Sequence, residues 1–239
     1  MALLGYRNTL GETSVGWKCG GSIITSRHVL TAAHCIRNDL VVVRLGEHDL
    51  STDSETRTID IGVKQKIRHP DYDKSDGHSD LAILVLESEI PFSATITPVC
   101  IPLNEPERSK RLVGYSPFAA GWGRTQEGGK SANVLQEIQL PVVDNEKCKG
   151  NYAAINKVVS QKQFDNGVIC AGYQEGGKDT CSGDSGGPLM MPFAKEGIYY
   201  YYQIGIVSYG IGCARAEVPG VYARVSTYAD WIKSTVEST

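Results

Sequence analysis

Short apolar runs, broken at close intervals by glycine, proline and polar turn residues, leave this chain little choice but β-structure. GGSIITSRHVLTAA (20–33) alternates toward β, DLVVVRLGEHDL (39–50) is β-branched, and DLAILVLE (80–87) is a continuous apolar run. SPFAAGWG (116–123), YYYYQIGIVSYG (199–210) and PGVYARVS (219–226) follow the same pattern. Runs of this length and composition read as antiparallel strands, closed into barrels or packed as a sandwich. Two segments read as helices. One is 144–152, capped by Asp144. The other is 226–236, where Tyr228, Trp231, Ile232 and Thr235 share a face behind a Ser226 cap.

With 239 residues, 41% of them hydrophobic, the chain suffices for one sizeable domain or two small fused ones. A net charge of −3 points to neither nucleic acid nor an anionic membrane. No apolar run has the length of a membrane span, and Met1–Tyr6 turns polar too soon for a signal peptide. The one tight basic cluster, Arg108-Ser-Lys-Arg111, lies beside Glu105 and Glu107 and reads as a solvated loop; a processing or docking site is the alternative. Seven cysteines, at 19, 35, 100, 148, 170, 181 and 213, contain no CxxC pair. Their wide spacing favours disulfides and an oxidising compartment. Seven is odd, so at least one thiol stays free or bonds outside the chain.

The stretch GKDTCSGDSGGPL (177–189) crowds two aspartates and several glycines around Ser185. Such a cluster is ordinary turn chemistry, or else an active-site turn whose bare backbone leaves N–H groups free for a ligand. The second reading needs a base. His34, in LTAAHC, ends a strand beside Cys35; a lone histidine is usually structural, but this one has a rigid mount available. A Cys19–Cys35 bond would close a short loop, stabilising it by about 3 kcal/mol. Asp80, in HSDLAIL, stands at the mouth of an apolar strand. It is an exposed leading residue or a buried acceptor; against an imidazole it would fix the tautomer and stabilise the imidazolium.

The order His34, Asp80, Ser185, carried by LTAAHC, DLAIL and GDSGGP, resembles the chymotrypsin/trypsin family of serine endopeptidases from about Cys19 to the C-terminal helix. The resemblance implies an all-β fold of two six-stranded antiparallel barrels with a C-terminal helix. Residues 1–239 would be one catalytic domain whose halves meet near 105–120. It implies Ser185 as nucleophile, His34 as general base and Asp80 as orienting acid, with the N–H groups of Gly183 and Ser185 as the oxyanion hole. Asp179 matches the acid at the floor of a pocket for Arg or Lys, and Gly210 and Gly220 match its walls. Thr180 stands where trypsin has serine, and its methyl tilts the preference toward Arg. Ser208, Tyr209 and Gly210 match the strand that holds the substrate backbone, with Tyr209 replacing the commoner tryptophan. Cys19–Cys35, Cys148–Cys170 and Cys181–Cys213 match family disulfides, and Cys100 matches a cysteine that bonds an upstream light chain.

In the family, the acid at Asp184 pairs with an α-amino group freed at an Ile or Val. No IVGG-like motif occurs here, so the expectation is that the activating N-terminus and an upstream clip or light chain lie outside this sequence. WGRTQEGGKSANVLQEIQLPVV (122–143) and PVCIPL (98–103) resemble arthropod clip-domain proteases of clotting, melanisation and Toll-type cascades. A secreted, extracellular enzyme follows, acting on protein substrates after Arg or Lys and controlled by serpin-type inhibitors, with no nucleic acid or membrane partner. The alternatives are a non-catalytic homologue that binds, or a digestive or venom trypsin. No cofactor is needed for the chemistry. The loop around Glu47, Asp53 and Glu55 aligns with a calcium loop, but Arg57 falls where a second carboxylate belongs, so either Arg57 pairs with Glu47 or Asp53 and Glu55 rebuild a Ca²⁺ site.

Overall fold

The structure, a computed structural model, describes residues 1–8, 15–52 and 57–239. Its first half places the β-branched and alternating runs on β1 (Ala2–Arg7), β2 (Val15–Ile23), β3 (His28–Thr31), β4 (Leu40–Leu45), β5 (Ile59–Arg68) and β6 (Ala82–Leu86). These close into an antiparallel barrel in the order β1-β2-β3-β6-β5-β4. All five residues of β6 are buried, as the unbroken apolar run requires, because β6 lies between β3 and β5.

The second half contributes β7 (Phe118–Gly121), β8 (Gln136–Gln139), β9 (Val142–Val143), β10 (Val168–Ala171), β11 (Pro188–Lys195), β12 (Ile198–Tyr209) and β13 (Gly220–Arg224). They form an antiparallel sheet in the order β8-β7-β11-β12-β13-β10-β9. The architecture is the expected pair of β units, with seven strands rather than six in the second because the chain adds the two-residue β9 at its edge. The units share a core: Ile206 and Ala223 of the second pack with Leu30, Ile83 and Leu84 of the first.

Helix α1 (Asn145–Ala154) begins as expected, with the Asp144 carboxylate accepting the Glu146 N–H at 3.0 Å. The C-terminal helix α2 (Ala229–Glu237) starts later than its sequence suggests. Ser226 lies inside a 3₁₀ turn, Val225–Tyr228, and no side chain caps α2; the tighter turn already feeds the chain into the helix. Ala229, Ile232 and Thr235 are buried, and Trp231 packs at the edge. No helix among the described residues is long and apolar enough to cross a membrane.

The basic cluster is tethered as well as solvated. Arg108 makes a two-pronged pair with Asp230 of α2, at 2.9 and 2.6 Å, and the Lys110 ammonium lies 5.4 Å from the Tyr115 ring. Three disulfides form: Cys19–Cys35, Cys148–Cys170 and Cys181–Cys213. Cys100 is the free cysteine. The first bond joins β2 to the short turn Ala33–Cys35, fixing the base of the loop that carries His34.

Candidate active site

Each candidate side chain stands at the end of a strand, where the seam between the two β units opens. His34 sits in the turn that follows β3, Asp80 directly precedes β6, Ser185 lies in the turn before β11, and Ser208 belongs to β12.

Asp80 is 3% exposed, and a carboxylate at that depth needs donors. It has three. Oδ1 accepts the His34 backbone N–H at 2.9 Å; Oδ2 accepts His34 Nδ1 at 2.7 Å and Ser208 Oγ at 2.5 Å. An ionised carboxylate only accepts, so Nδ1 carries the proton, and in the neutral ring Nε2 is left as an acceptor. Ser79, just before Asp80, is 2% exposed and holds φ +53°, a conformation rare outside glycine and asparagine. Its hydroxyl bonds His78 Nδ1 at 2.9 Å and the Tyr228 hydroxyl at 3.2 Å, which holds the turn in place. Ser79 was not among the sequence candidates; a lone serine carries no sign of its backbone angle.

Ser185 is presented by a turn anchored in both β units. Its carbonyl accepts the Gly20 N–H of β2 at 2.8 Å, and the Gly186 N–H donates to Val207 of β12 at 2.8 Å. Gly186 has φ +78°, and a Cβ there would collide with the Thr31 hydroxyl and the Gly20 carbonyl. This is the close approach that the bare backbone of the motif permits. The N–H groups of Gly183 and Ser185 donate to no other group among the described residues. No hydrogen bond joins Ser185 Oγ to His34, a contact commonly long in ligand-free sites.

Asp179 lines a cavity of about 210 Å³ that also takes in Thr180, Ser185, Ser208, Tyr209, Gly210 and Gly220. Its carboxylate accepts the N–H groups of Thr180 at 2.8 Å and Ala214 at 3.1 Å. Burial nevertheless prevails over these bonds and pushes its pKa up to about 6. Gly220 keeps the wall open, since a Cβ there would lie 3.0 Å from Asp179 Oδ1. The Thr180 hydroxyl is paired with the buried Tyr222 hydroxyl at 2.9 Å, a partner that the motif alone does not reveal.

Asp184 is buried next to Ser185 and accepts the N–H groups of Gly123 at 2.7 Å and Cys181 at 2.9 Å. Burial raises its pKa, with the two N–H groups opposing. No cation pairs with it among the described residues. It borders a cavity of about 180 Å³ walled by Ala119–Gly121, Gly123 and Ile138. Side chains on Gly121 or Gly123 would strike the carboxylate, which explains the small residues around Trp122.

Two sequence expectations change or pass out of reach. Glu47 is paired not by Arg57 but by Arg44, at 3.4 Å, and also accepts the His48 N–H at 2.9 Å. Arg44 wins because it stands near the end of β4, only three residues before Glu47, where Asp60 of β5 steadies it at 2.7 Å. A cation already on Glu47 fits a calcium site poorly; Asp53 and Glu55 lie outside the described residues. Cys100 is half-buried, with its backbone tied to β12: its N–H donates to Tyr201 at 3.0 Å and its carbonyl accepts from Gln203 at 2.9 Å. Burial pushes its thiol pKa up.

This geometry agrees with comparison to known proteins. A profile of the trypsin family matches residues 4–232. The chain is 46% identical to the venom protease of Bombus pensylvanicus, over 96% of this chain and 90% of that protein. It is 41% identical to the proclotting enzyme of Tachypleus tridentatus, over 90% of this chain and 57% of that protein. It is 40% identical to CLIP domain-containing serine protease B4 of Anopheles gambiae, over 98% of this chain and 66% of that protein. The chain thus spans little more than half the length of some relatives and nearly all of others. With its match running almost end to end, the chain belongs to the trypsin family of serine proteases.

Proposed function

We propose that this protein is a secreted endopeptidase that cleaves protein substrates after Arg or Lys through an acyl-enzyme. One observation carries the reading: a half-buried carboxylate, Asp179, lines the same cavity as Ser185. A cationic side chain seated on Asp179 brings the following carbonyl to the serine. Anything apolar leaves that carboxylate buried and unpaired.

In this mechanism Ser185 Oγ attacks the carbonyl carbon and its proton passes to His34 Nε2. The negative charge that develops on the carbonyl oxygen is met by the N–H groups of Gly183 and Ser185, each donor worth about 10²–10³ in rate. Asp80 stabilises the imidazolium through Nδ1 without taking its proton. Collapse expels the amine, which takes the proton from His34, and water repeats the sequence to release the acid. Tyr209 and Gly210 run beside the cavity as the edge along which substrate backbone lies.

Asp184 supplies the activation step. Its buried charge calls for a cation, and the adjoining cavity suits the ammonium of an Ile or Val terminus released by cleavage of a precursor. Pairing there sets the turn that holds Gly183 and Ser185. Cys100 tethers an upstream light chain, so peptide mapping of the secreted protein should find Cys100 disulfide-bonded; a free thiol there removes the tether. The extracellular cascade setting, in clotting, prophenoloxidase activation or immune signalling, is supported by the names of the proclotting and CLIP-domain relatives. Serpin-type inhibitors are the natural control of such an enzyme.

An active-site burst tests the reaction. With an Arg ester, protein bearing a free Ile or Val terminus should release one leaving group per molecule before steady state, and acetylating that terminus should abolish most of the burst. An organophosphorus reagent should label Ser185. Absence of both burst and label contradicts the enzyme reading, whereas an equal burst after acetylation removes the Asp184 step.

The pocket gives a pH prediction. Asp179 has a free-state pKa of about 6, so protons and cationic ligands compete for it. Binding is full above that value and is lost as pH falls through it. Calorimetric titration with an arylamidinium inhibitor should show affinity weakening about tenfold from about pH 7 to pH 5. An affinity constant over that range shows that the cation does not sit on Asp179.

A further inference from the structure

The donors around Asp80 satisfy its charge, but its aim depends on the turn that carries it. The Leu81 N–H donates to the Ser79 carbonyl at 2.8 Å, closing a three-residue turn with Asp80 at its centre. In that turn Ser79 holds φ +53°, a conformation that persists in serine only where the surroundings impose it. Two distant segments do so. Ser79 Oγ lies 3.2 Å from the Tyr228 hydroxyl, in the 3₁₀ turn ahead of α2, and 2.9 Å from His78 Nδ1. His78 Nε2 in turn lies 3.3 Å from Asp165 Oδ2, in the chain before β10.

The chemistry of these groups gives the chain one direction. An ionised carboxylate only accepts, so His78 Nε2 donates to Asp165, and in the neutral ring Nδ1 accepts. Ser79 must then give its proton to Nδ1, which leaves its oxygen to accept from Tyr228. Burial raises the pKa of Tyr228 and keeps the proton on its hydroxyl. Both ends are fixed in place. The Gly167 N–H donates to Asp165 Oδ1 at 2.7 Å, and a Cβ on Gly167 would lie 2.5 Å from the Tyr228 hydroxyl, so bare backbone leaves that oxygen its space. The buried Tyr228 ring meets His69 edge-on, with centroids 5.0 Å apart, and the His69 N–H donates to the Leu81 carbonyl at 3.0 Å. The residues on both sides of Asp80 are thus gripped from outside the turn.

We propose that Ser79 is a positioning residue: braced by Tyr228 and His78, it holds the turn that aims Asp80 at His34, so that loss of its hydroxyl slows turnover and leaves substrate binding intact. A carboxylate displaced from Nδ1 frees the imidazole to turn, and a misplacement of about 1 Å costs on the order of 10² in rate. Neither Ser79 nor Tyr228 lines the Asp179 cavity. The inference rests on the Ser185 reaction proposed above.

The test compares the active enzyme with Ser79→Gly, which accepts the positive φ but lacks the hydroxyl, and with Tyr228→Phe, which keeps the ring and removes one oxygen. Turnover of an Arg ester is taken per burst-competent molecule, so unfolded protein drops out; if Ser79→Gly does not fold, Tyr228→Phe decides. Ser79→Gly should lower kcat by about tenfold or more, with KM and arylamidinium affinity unchanged. Tyr228→Phe should lower kcat in the same way, and the double variant should be no slower than Ser79→Gly, because both changes cut one link. Proton NMR gives a second readout. The His34 Nδ1 proton, bonded to Asp80 Oδ2 at 2.7 Å, should resonate far downfield in the unsubstituted enzyme and move upfield in both variants. An unchanged kcat in either variant, or an unmoved Nδ1 resonance, overturns the inference and leaves the reaction standing. So does weaker arylamidinium binding at constant kcat, which would make Ser79 a support of the pocket instead. No ester hydrolysis by the unsubstituted enzyme overturns both.

Discussion

A carboxylate buried as deeply as Asp80 has to be fully hydrogen-bonded, and the donors that meet this need come from both β units. His34 supplies its backbone N–H and ring N–H from the first barrel; Ser208 supplies its hydroxyl from β12 of the second sheet. Remove either unit and a charge is left in a low-dielectric interior, at a penalty of several kcal/mol. The same bonds that satisfy Asp80 fix the tautomer and direction of His34. Assembly of the seam and orientation of the proposed base are therefore one event.

The serine is held by a related constraint. Its turn is anchored to Gly20 on one side and Val207 on the other, so its position depends on how the two β units meet. Glycines at 183 and 186 take positive φ and allow backbone to approach backbone, and the N–H groups of Gly183 and Ser185 donate to no group among the described residues. Around this rigid seam the charges divide by partner. Asp80 has its donors within the fold, whereas Asp179 and Asp184 have only backbone N–H groups and are left uncompensated by any cation among the described residues. Burial that raises the pKa of an acid also makes it a strong receptor for a cation brought from outside, which is the common logic of the substrate binding and activation proposed above.

What could be read in the sequence was what depends on local pattern. The apolar run at 82–86 read as a strand, Asp144 read as a helix cap, and LTAAHC and DLAIL carry His34 and Asp80 into one hydrogen-bonded pair. What could not be read depends on which distant residue arrives. Arg44, three residues before Glu47, and Arg57 were equally basic in the sequence, and it is the arrival of Asp60 from β5 that holds Arg44 beside Glu47. Ser226 had the chemistry of a cap, but the preceding strand β13 delivers the chain in a 3₁₀ turn. The positive φ of Ser79 and the leaning of Tyr209 on Gly77 arise from packing between loops, and no periodicity or composition encodes them.

The central claim is that Asp80 prepares His34, and replacing Asp80 by Asn tests it most directly. Asn keeps the shape but offers an N–H where Nδ1 needs an acceptor, favouring the wrong tautomer and removing the charge that steadies the imidazolium. Measured at neutral pH on an Arg ester, kcat should fall on the order of 10³–10⁴, with the three disulfides formed and arylamidinium binding retained. A fall of less than about tenfold, with the fold intact, would contradict the account.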